Sequence, residues 1–207
     1  MVGGGSGQRF GAAKQYARIG DERVIDRARR VAESVCDGVV VVVPAADAER
    51  EHAVAGGATR SASVRAGLAA VPAAADVICV HDAARPLAGP ELFHRVIDAV
   101  LAGADAAVPA VPVSDTIKVV AGDGSVVATP DRSTLVAVQT PQAFRASVLR
   151  AAHASGGEGT DDATLVEALG RTVVTVPGDP MNRKITDPSD LVWASSFMSR
   201  SVARTGD

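Results

Sequence analysis

Only three of the 21 basic side chains, Lys14, Lys118 and Lys184, are lysines. Two of them close stretches suited to holding phosphate. Lys14 ends Gly3-Gly4-Gly5-Ser6-Gly7-Gln8-Arg9-Phe10-Gly11-Ala12-Ala13-Lys14, and Lys184 lies in Asn182-Arg183-Lys184-Ile185-Thr186. A lysine ammonium is a compact charge on a flexible stem, suited to a moving phosphoryl oxygen. The glycine run offers backbone N–H groups unhindered by side chains, which can wrap a triphosphate. It is not a P-loop, because no glycine is followed directly by Lys-Ser/Thr. It is not a dinucleotide fingerprint either, because Phe10 stands where the last glycine belongs. The plain alternative is a flexible glycine-rich terminus.

Three further sets carry polar chemistry. Gly56-Gly57-Ala58-Thr59-Arg60-Ser61-Ala62-Ser63 places a glycine pair and hydroxyls before a helix, where backbone N–H groups attract anions. In Val80-His81-Asp82-Ala83-Ala84-Arg85-Pro86 a strand runs into an aspartate at its carboxyl end. Such a carboxylate holds a ribose hydroxyl or Mg²⁺, and Arg85 either pairs with it or reaches a phosphate. Thr116, Arg132, Thr140 and Thr160 lie in loops among small residues; hydroxyls and cations there suit a polyol phosphate, although a loop threonine is more often a cap. No Ser-His-Asp set stands out, and His81 reads as structural.

The elements that must position these groups alternate. Continuous or near-continuous apolar runs at Gly38–Pro44, Asp76–His81, Ala104–Val111 and Arg171–Val176 read as buried strands. Helical patterns cover Glu22–Val35, Ala45–Val54, Ser61–Val71, Pro90–Leu101, Phe144–His153, Asp162–Leu169 and Pro188–Arg200. Asp161 and Asp187 stand as capping oxygens at two helix starts. Alternation of this kind gives a mostly parallel sheet with helices on both faces, and ligands at the carboxyl ends of the strands. One stretch breaks the pattern: Thr116–Ala121 and Ser125–Thr129, joined by Gly122-Asp123-Gly124, read as a hairpin arm within 112–134. Its exposed edges need a cover, and a second copy of the chain is one way to supply it. Only Met1 and Val2 precede the glycine loop, so either the strand that should support it lies upstream of Met1, the favoured expectation, or the sheet lacks part of its central strand.

Composition narrows the partners. A net charge of −3 argues against a nucleic-acid field or a basic membrane-surface stretch. No apolar run approaches the roughly 18 residues of a spanning helix, and no signal-peptide pattern opens the chain. Cytoplasmic location is the expectation, with Cys36 and Cys79 as reduced, buried thiols.

Taken in order, GGGSGQRFGAAKQ, GGATRSASVRAGL, VHDAARP, PVSDTIK, VQTPQAF, TDDATLVE and NRKITDPSDL resemble the 2-C-methyl-D-erythritol 4-phosphate cytidylyltransferases, a branch of the sugar nucleotidyltransferases. The resemblance spans nearly the whole chain. It implies a single three-layer α/β/α Rossmann-like domain over 1–207, dimeric through the arm. It implies transfer of CMP from CTP to methylerythritol phosphate, with release of pyrophosphate and with Mg²⁺ or another divalent cation on the triphosphate. By the same resemblance Arg9, Lys14 and Lys184 are catalytic. Gly4, Gly5, Ser6, Gly7, Gly57, Ser63, Asp82 and Ala83 bind the nucleotide, Asp82 being also a candidate metal ligand. Arg85, Thr116, Arg132, Thr140 and Thr160 bind the polyol phosphate, Arg132 in the neighbouring subunit's site. Ribitol 5-phosphate is the alternative acceptor, and a non-catalytic nucleotide-binding relic the alternative class. The chain departs from the family pattern at Ala13, at Ala58, and at Pro180-Met181-Asn182-Arg183.

Overall fold

A computed structural model describes residues 1–4, 10 and 13–204. β1 (Arg18–Ile19) and β2 (Glu22–Arg23) form a small hairpin that turns at Gly20, φ 59°, the left-handed region glycine favours. α1 (Val24–Glu33), β3 (Val42–Val43), β4 (Val54–Ala55), α2 (Arg60–Ala70) and β5 (Val77–Val80) follow. Then come α3 (Pro90–Leu101), β6 (Ala106–Pro112), β7 (Val119–Val120), β8 (Val126–Ala128) and β9 (Val136–Val138). β10 (Gln142–Arg145), α4 (Ala146–Ala154), α5 (Asp162–Ala168), β11 (Val173–Pro177) and α6 (Pro188–Arg204) complete the order.

The central sheet is mostly parallel. β11, β6, β10 and β5 lie side by side, and β3 pairs with β4. Val2 bridges the two groups, parallel to Val42 on one side and to Asp82 on the other. The spatial order is therefore β4-β3-(residues 1–3)-β5-β10-β6-β11, with β10 running against its neighbours and β9 antiparallel to the end of β6. Side chains alternate across this sheet as strand geometry requires. Ile78, Val80, Ala106, Val108 and Phe144 pack on one face with Val64 and Leu68 of α2, Leu149 of α4 and Val166 of α5. Cys79, Ala107 and Ala143 pack on the other with Val96 and Val100 of α3. Three layers result, and α6 closes over the β1–β2 hairpin through Ile19, Val24, Ile185 and Ala194.

The helix ends follow their caps. Thr59 Oγ1 accepts the Ala62 N–H at 3.0 Å, and Asp161 Oδ1 accepts the Thr164 N–H at 2.9 Å. Asp187 caps α6, with Pro188 in its first turn.

Three sequence expectations are corrected. Ala45–Val54 is not a helix: a 3-10 turn covers Ala45–Asp47, His52 takes φ 48°, and Val54–Ala55 pairs in parallel with Val42–Val43. That pairing leaves too short a crossover for helix propensity to prevail. Phe144 does not open a helix; it is fully buried in β10, where β5 and β6 claim its backbone from both sides. The strand expected over Gly38–Pro44 is reduced to Val42–Val43. The arm is present with shorter strands than expected, β7 and β8, and β9 beyond it pairs back onto the end of β6. Cys36 and Cys79 are free thiols, each partly rather than fully buried.

Candidate active site

Asp82 stands just past β5, at the carboxyl end of the parallel strands, and Lys184 reaches it from the loop between β11 and α6. Their charges meet at 2.7 Å although 102 residues separate them. Neighbouring loops are latched around the pair. Ile185 N–H donates to the Ala84 carbonyl at 2.8 Å, Arg85 Nη1 to the Asn182 carbonyl at 2.8 Å, and Asn182 Nδ2 to the Thr140 carbonyl at 2.9 Å. Arg60, opening α2, places Nε 3.5 Å from Asp82 Oδ1 and Nη1 2.8 Å from Asp162 Oδ2. Asp162 is wholly buried and meets His153 Nε2 at 2.9 Å.

Burial alone would raise the Asp82 pKa. The ammonium of Lys184 and the guanidinium of Arg60 outweigh it and hold the carboxyl at about 2, so Asp82 is anionic at neutral pH. Its neighbour His81 is 2% exposed, and burial pulls its pKa down to about 4. The Arg85 carbonyl fixes the tautomer. It can only accept, so His81 Nε2, 3.2 Å away, carries the ring proton and donates to it. Nδ1 then accepts the Thr140 hydroxyl proton at 3.1 Å, while the Thr140 oxygen accepts the Asp82 N–H at 3.0 Å.

The amino end of α2 forms the other wall. Ser63 Oγ donates to the Thr59 carbonyl at 2.9 Å and lies 3.4 Å from the Gly57 carbonyl. A Cβ placed on Gly4 would come within 3.0 Å of that hydroxyl oxygen, and one on Gly57 would strike the Ala62 Cβ at 2.5 Å. Glycine is thus required at 57 by close approach, and Gly4, Gly57 and Ser63 converge on one corner beside Arg60. Such a corner, with backbone N–H groups at a helix start, accommodates an anionic or polar ligand.

Of the residues singled out from sequence, the structure brings Gly4, Gly57 and Ser63 to this corner and Asp82 and Lys184 into contact. Ala83 is fully buried; its side chain packs with Ile25 and Val43 while its N–H donates to Val2. Two of the expected polyol-phosphate contacts also bind within the chain. The Thr140 hydroxyl is engaged on both sides and 5% exposed, and the Arg85 guanidinium is tied to the Asn182 loop. Thr160 is exposed at the start of α5, and its neighbour Gly159 donates to Ser61 Oγ at 3.3 Å, which sets that loop against α2. Thr116 and Arg132 lie exposed at the arm, Arg132 Nη1 donating to the Ser114 carbonyl at 2.6 Å. Lys14 opens a half-buried 3-10 turn, Lys14–Tyr16. Gly5, Ser6, Gly7 and Arg9 lie outside the described residues.

Sequence reasoning missed Arg60 and Asp162. Arg60 sat inside the glycine-pair motif but passed as an ordinary helix residue. Asp162 stood beside the capping Asp161, so a buried charge was hidden in a cap. The adjacent acids and an arginine at a helix start were the available signal.

Comparison with known proteins places the chain in a family. Residues 1–200 match the family model described as IspD, 2-C-methyl-D-erythritol 4-phosphate cytidylyltransferase. The chain is 46% identical to the 2-C-methyl-D-erythritol 4-phosphate cytidylyltransferase of Nocardia farcinica, covering 96% of this chain and 92% of that one. It is 44% identical to a bifunctional IspD/IspF enzyme of Anaeromyxobacter dehalogenans, over 98% of this chain but only 57% of that protein. The crystal structure of 4-diphosphocytidyl-2C-methyl-D-erythritol synthase from Anaerococcus prevotii superposes with a TM-score of 0.84 at 28% identity, covering 96% of this chain and 93% of that one. A glycine-lined corner, a carboxylate at the end of β5 and a late lysine thus sit on the fold of these relatives, and the chain belongs to the 2-C-methyl-D-erythritol 4-phosphate cytidylyltransferase family.

Proposed function

We propose that this chain transfers CMP from CTP to 2-C-methyl-D-erythritol 4-phosphate, giving 4-diphosphocytidyl-2-C-methyl-D-erythritol and pyrophosphate. Family membership supports the reaction. The observation that carries it to particular residues is the Asp82–Lys184 contact, which joins distant segments at the carboxyl ends of the sheet.

The acceptor phosphate is already anionic, so its oxygen needs no base. That oxygen forms a bond to the α-phosphorus while the bond from the α-phosphorus to the bridging oxygen breaks and pyrophosphate leaves. The obstacle is repulsion between two anions, and fixed cations with alignment address it. In this reading Lys184, Lys14 and Arg9 supply positive charge, Gly4, Gly57 and Ser63 border the nucleotide, and Asp82 takes a ribose hydroxyl. Arg85, Thr116, Arg132, Thr140 and Thr160 are candidates for the acceptor phosphate, Arg132 across a dimer interface built on the arm.

A divalent cation fits this donor set in a restricted sense. Among the described residues no cluster of three or more His, Cys, Asp or Glu side chains is arranged to hold a metal. Mg²⁺, however, commonly keeps its waters and takes one or two carboxylates plus substrate phosphates. Asp82, ionised and 8% exposed, is such a carboxylate. When bound, the cation would neutralise triphosphate charge. A cytoplasmic enzyme fits this chemistry, and among the described residues no helix is long and apolar enough to cross a membrane.

The test is pyrophosphate release from CTP with methylerythritol phosphate or ribitol 5-phosphate, with and without Mg²⁺. Release only with Mg²⁺, and faster with methylerythritol phosphate, is expected. A faster rate with ribitol phosphate would reassign the acceptor, and no turnover with either would leave a nucleotide-binding relic.

A further inference from the structure

Arg60 stands where local physics would not put it. It is the first residue of α2, whose first turn holds no acidic side chain, and the positive end of the helix dipole disfavours a cation there. Its partners come from other elements. Nη1 meets Oδ2 of Asp162, from α5, at 2.8 Å, and Nε lies 3.5 Å from Oδ1 of Asp82, just past β5. Neither contact is an aligned hydrogen bond: Nη1 is buried without one, and 3.5 Å is long for one. Charge, rather than direction, holds the guanidinium between two carboxylates.

The far side of this bridge does not give. Asp162 is wholly buried, and its Oδ1 accepts from His153 Nε2 of α4 at 2.9 Å. A buried carboxylate needs a counter-charge, so Asp162 needs Arg60 where it stands. Further along α2, Arg65 donates to the Gly157 carbonyl and to Glu158, both at 2.8 Å, so α2 is pinned again to the segment leading into α5. The near side is the one that changes. Asp82 Oδ2 is held by Lys184, whose side chain is 39% exposed against 24% for Arg60. When Lys184 turns toward phosphate, Oδ1 still faces a cation that cannot follow. Because that cation is shared with Asp162, it holds the Asp82 carboxylate in place without cancelling the charge that Lys184 gives up.

We propose that Arg60 is a positioning residue: anchored by Asp162 and His153, it holds Asp82 Oδ1 and so aims Oδ2 at the ribose of the nucleotide. Resting on the reading that Asp82 takes a ribose hydroxyl, this assigns selectivity for the sugar to a residue that need not touch it. A carboxylate with both oxygens free turns broadly about its terminal torsion. One with Oδ1 tied presents a single acceptor along one line, as recognition of one hydroxyl requires.

Binding without turnover tests this. Calorimetry with Mg²⁺ and no acceptor gives the Kd of CTP, 2′-deoxy-CTP and 3′-deoxy-CTP for four proteins. They are the unmodified chain, Asp82→Asn, Arg60→Gln, and Arg60→Gln combined with Asp162→Asn, which strands no buried carboxylate. The unmodified chain is expected to prefer CTP over at least one deoxy analogue by about tenfold or more, the value of a hydrogen bond to a charged group. Asp82→Asn should abolish that preference. Both Arg60 proteins should lower it by about fivefold or more, and adding Asp82→Asn to either should lower it little further. A merely structural Arg60 would weaken CTP and its analogues alike, so a preference within about twofold of the unmodified chain would overturn the proposal. Loss of the folded thermal transition in both Arg60 proteins would also overturn it, by making Arg60 a framework group. A preference unchanged in Asp82→Asn would instead take Asp82 off the ribose, and the underlying reading would fall together with the role of Arg60.

Discussion

The candidate site and the arm are opposite solutions to the same problem of matching groups to partners. Around Asp82, charged and polar groups meet partners within the chain, among them Lys184 at the rim, Arg60, Thr140, His81 and Asn182, although Arg85 Nε and Asn182 Oδ1 are buried without a hydrogen bond. On the arm and the adjoining β9, valines are exposed: Val119, Val120, Val126, Val127, Val136 and Val138 are each at least 42% open to solvent. An apolar stripe of this kind marks an interaction surface. The first region is assembled largely by its own fold, whereas the second is covered by something else, for which a second copy is our proposal. The difference teaches that activity can be damaged at the site by altering one chain, and at the valine stripe of the arm by altering an association.

The sharpest break of this contrast is at Lys184. Lys184→Ala is expected to lower kcat by about 10² to 10³, the loss that follows removal of one fixed group stabilising charge in a transition state. CTP-dependent pyrophosphate release measures it, and wild-type turnover would remove Lys184 from the chemistry.

Next comes pH. His81 has its pKa drawn below the unfolded value of 6.5, to about 4. Between those values the unfolded chain binds a proton that the native state refuses, so stability falls as pH drops. The drop should reach about 3 kcal/mol by pH 4. Asp82 adds a separate loss, confined to the window from 3.8 down toward 2. Urea midpoints at pH 7 and 4.5 report the first term, and His81→Gln should flatten the difference.

Thr140→Val probes the same network more gently. It leaves the Asp82 N–H and His81 Nδ1 without their partner, at a cost of about 1–3 kcal/mol. A thermal midpoint unchanged by this substitution would show that the network relaxes, and that the site is less closed than described.

The smallest effect belongs to the arm. Val126→Asp should weaken self-association by about tenfold, read by sedimentation, with the thermal midpoint of the isolated subunit nearly unchanged. Association that persists at wild-type strength would move the interface elsewhere.

Much of the framework was legible because periodicity and burial agree there. Val77–Val80, Ala106–Pro112 and Val173–Pro177 are β-branched or small runs at strand length, and Pro90 and Asp187 mark helix starts without competition. Legibility failed where tertiary pairing overrode local preference. Ala45–Val54 has helical composition, but β4 claims its end; Phe144 sits in a helical pattern, but two strands claim its backbone. The β1–β2 hairpin was announced only by Gly20-Asp21. At the site, Asp82 and Lys184 were found from residue type and position. Thr140 was legible as a candidate phosphate contact, but a loop threonine in sequence does not reveal that its hydroxyl faces a buried imidazole. Arg60 and Asp162 were passed over, because a contact between residues 102 apart in sequence leaves no local trace.

The 2.7 Å bond between Lys184 and Asp82 has a consequence of its own. A lysine 39% exposed at the rim is already neutralised by a carboxylate that is itself nearly enclosed, so an incoming phosphate arrives as a rival to that carboxylate. Releasing the ammonium toward phosphate leaves an anion in want of a counter-charge, and a cation at Asp82 would answer that want at the same moment. Nucleotide and cation would then each raise the other's affinity by trading away a single shared contact, a reciprocity that equilibrium titrations of one in the presence of the other would read directly.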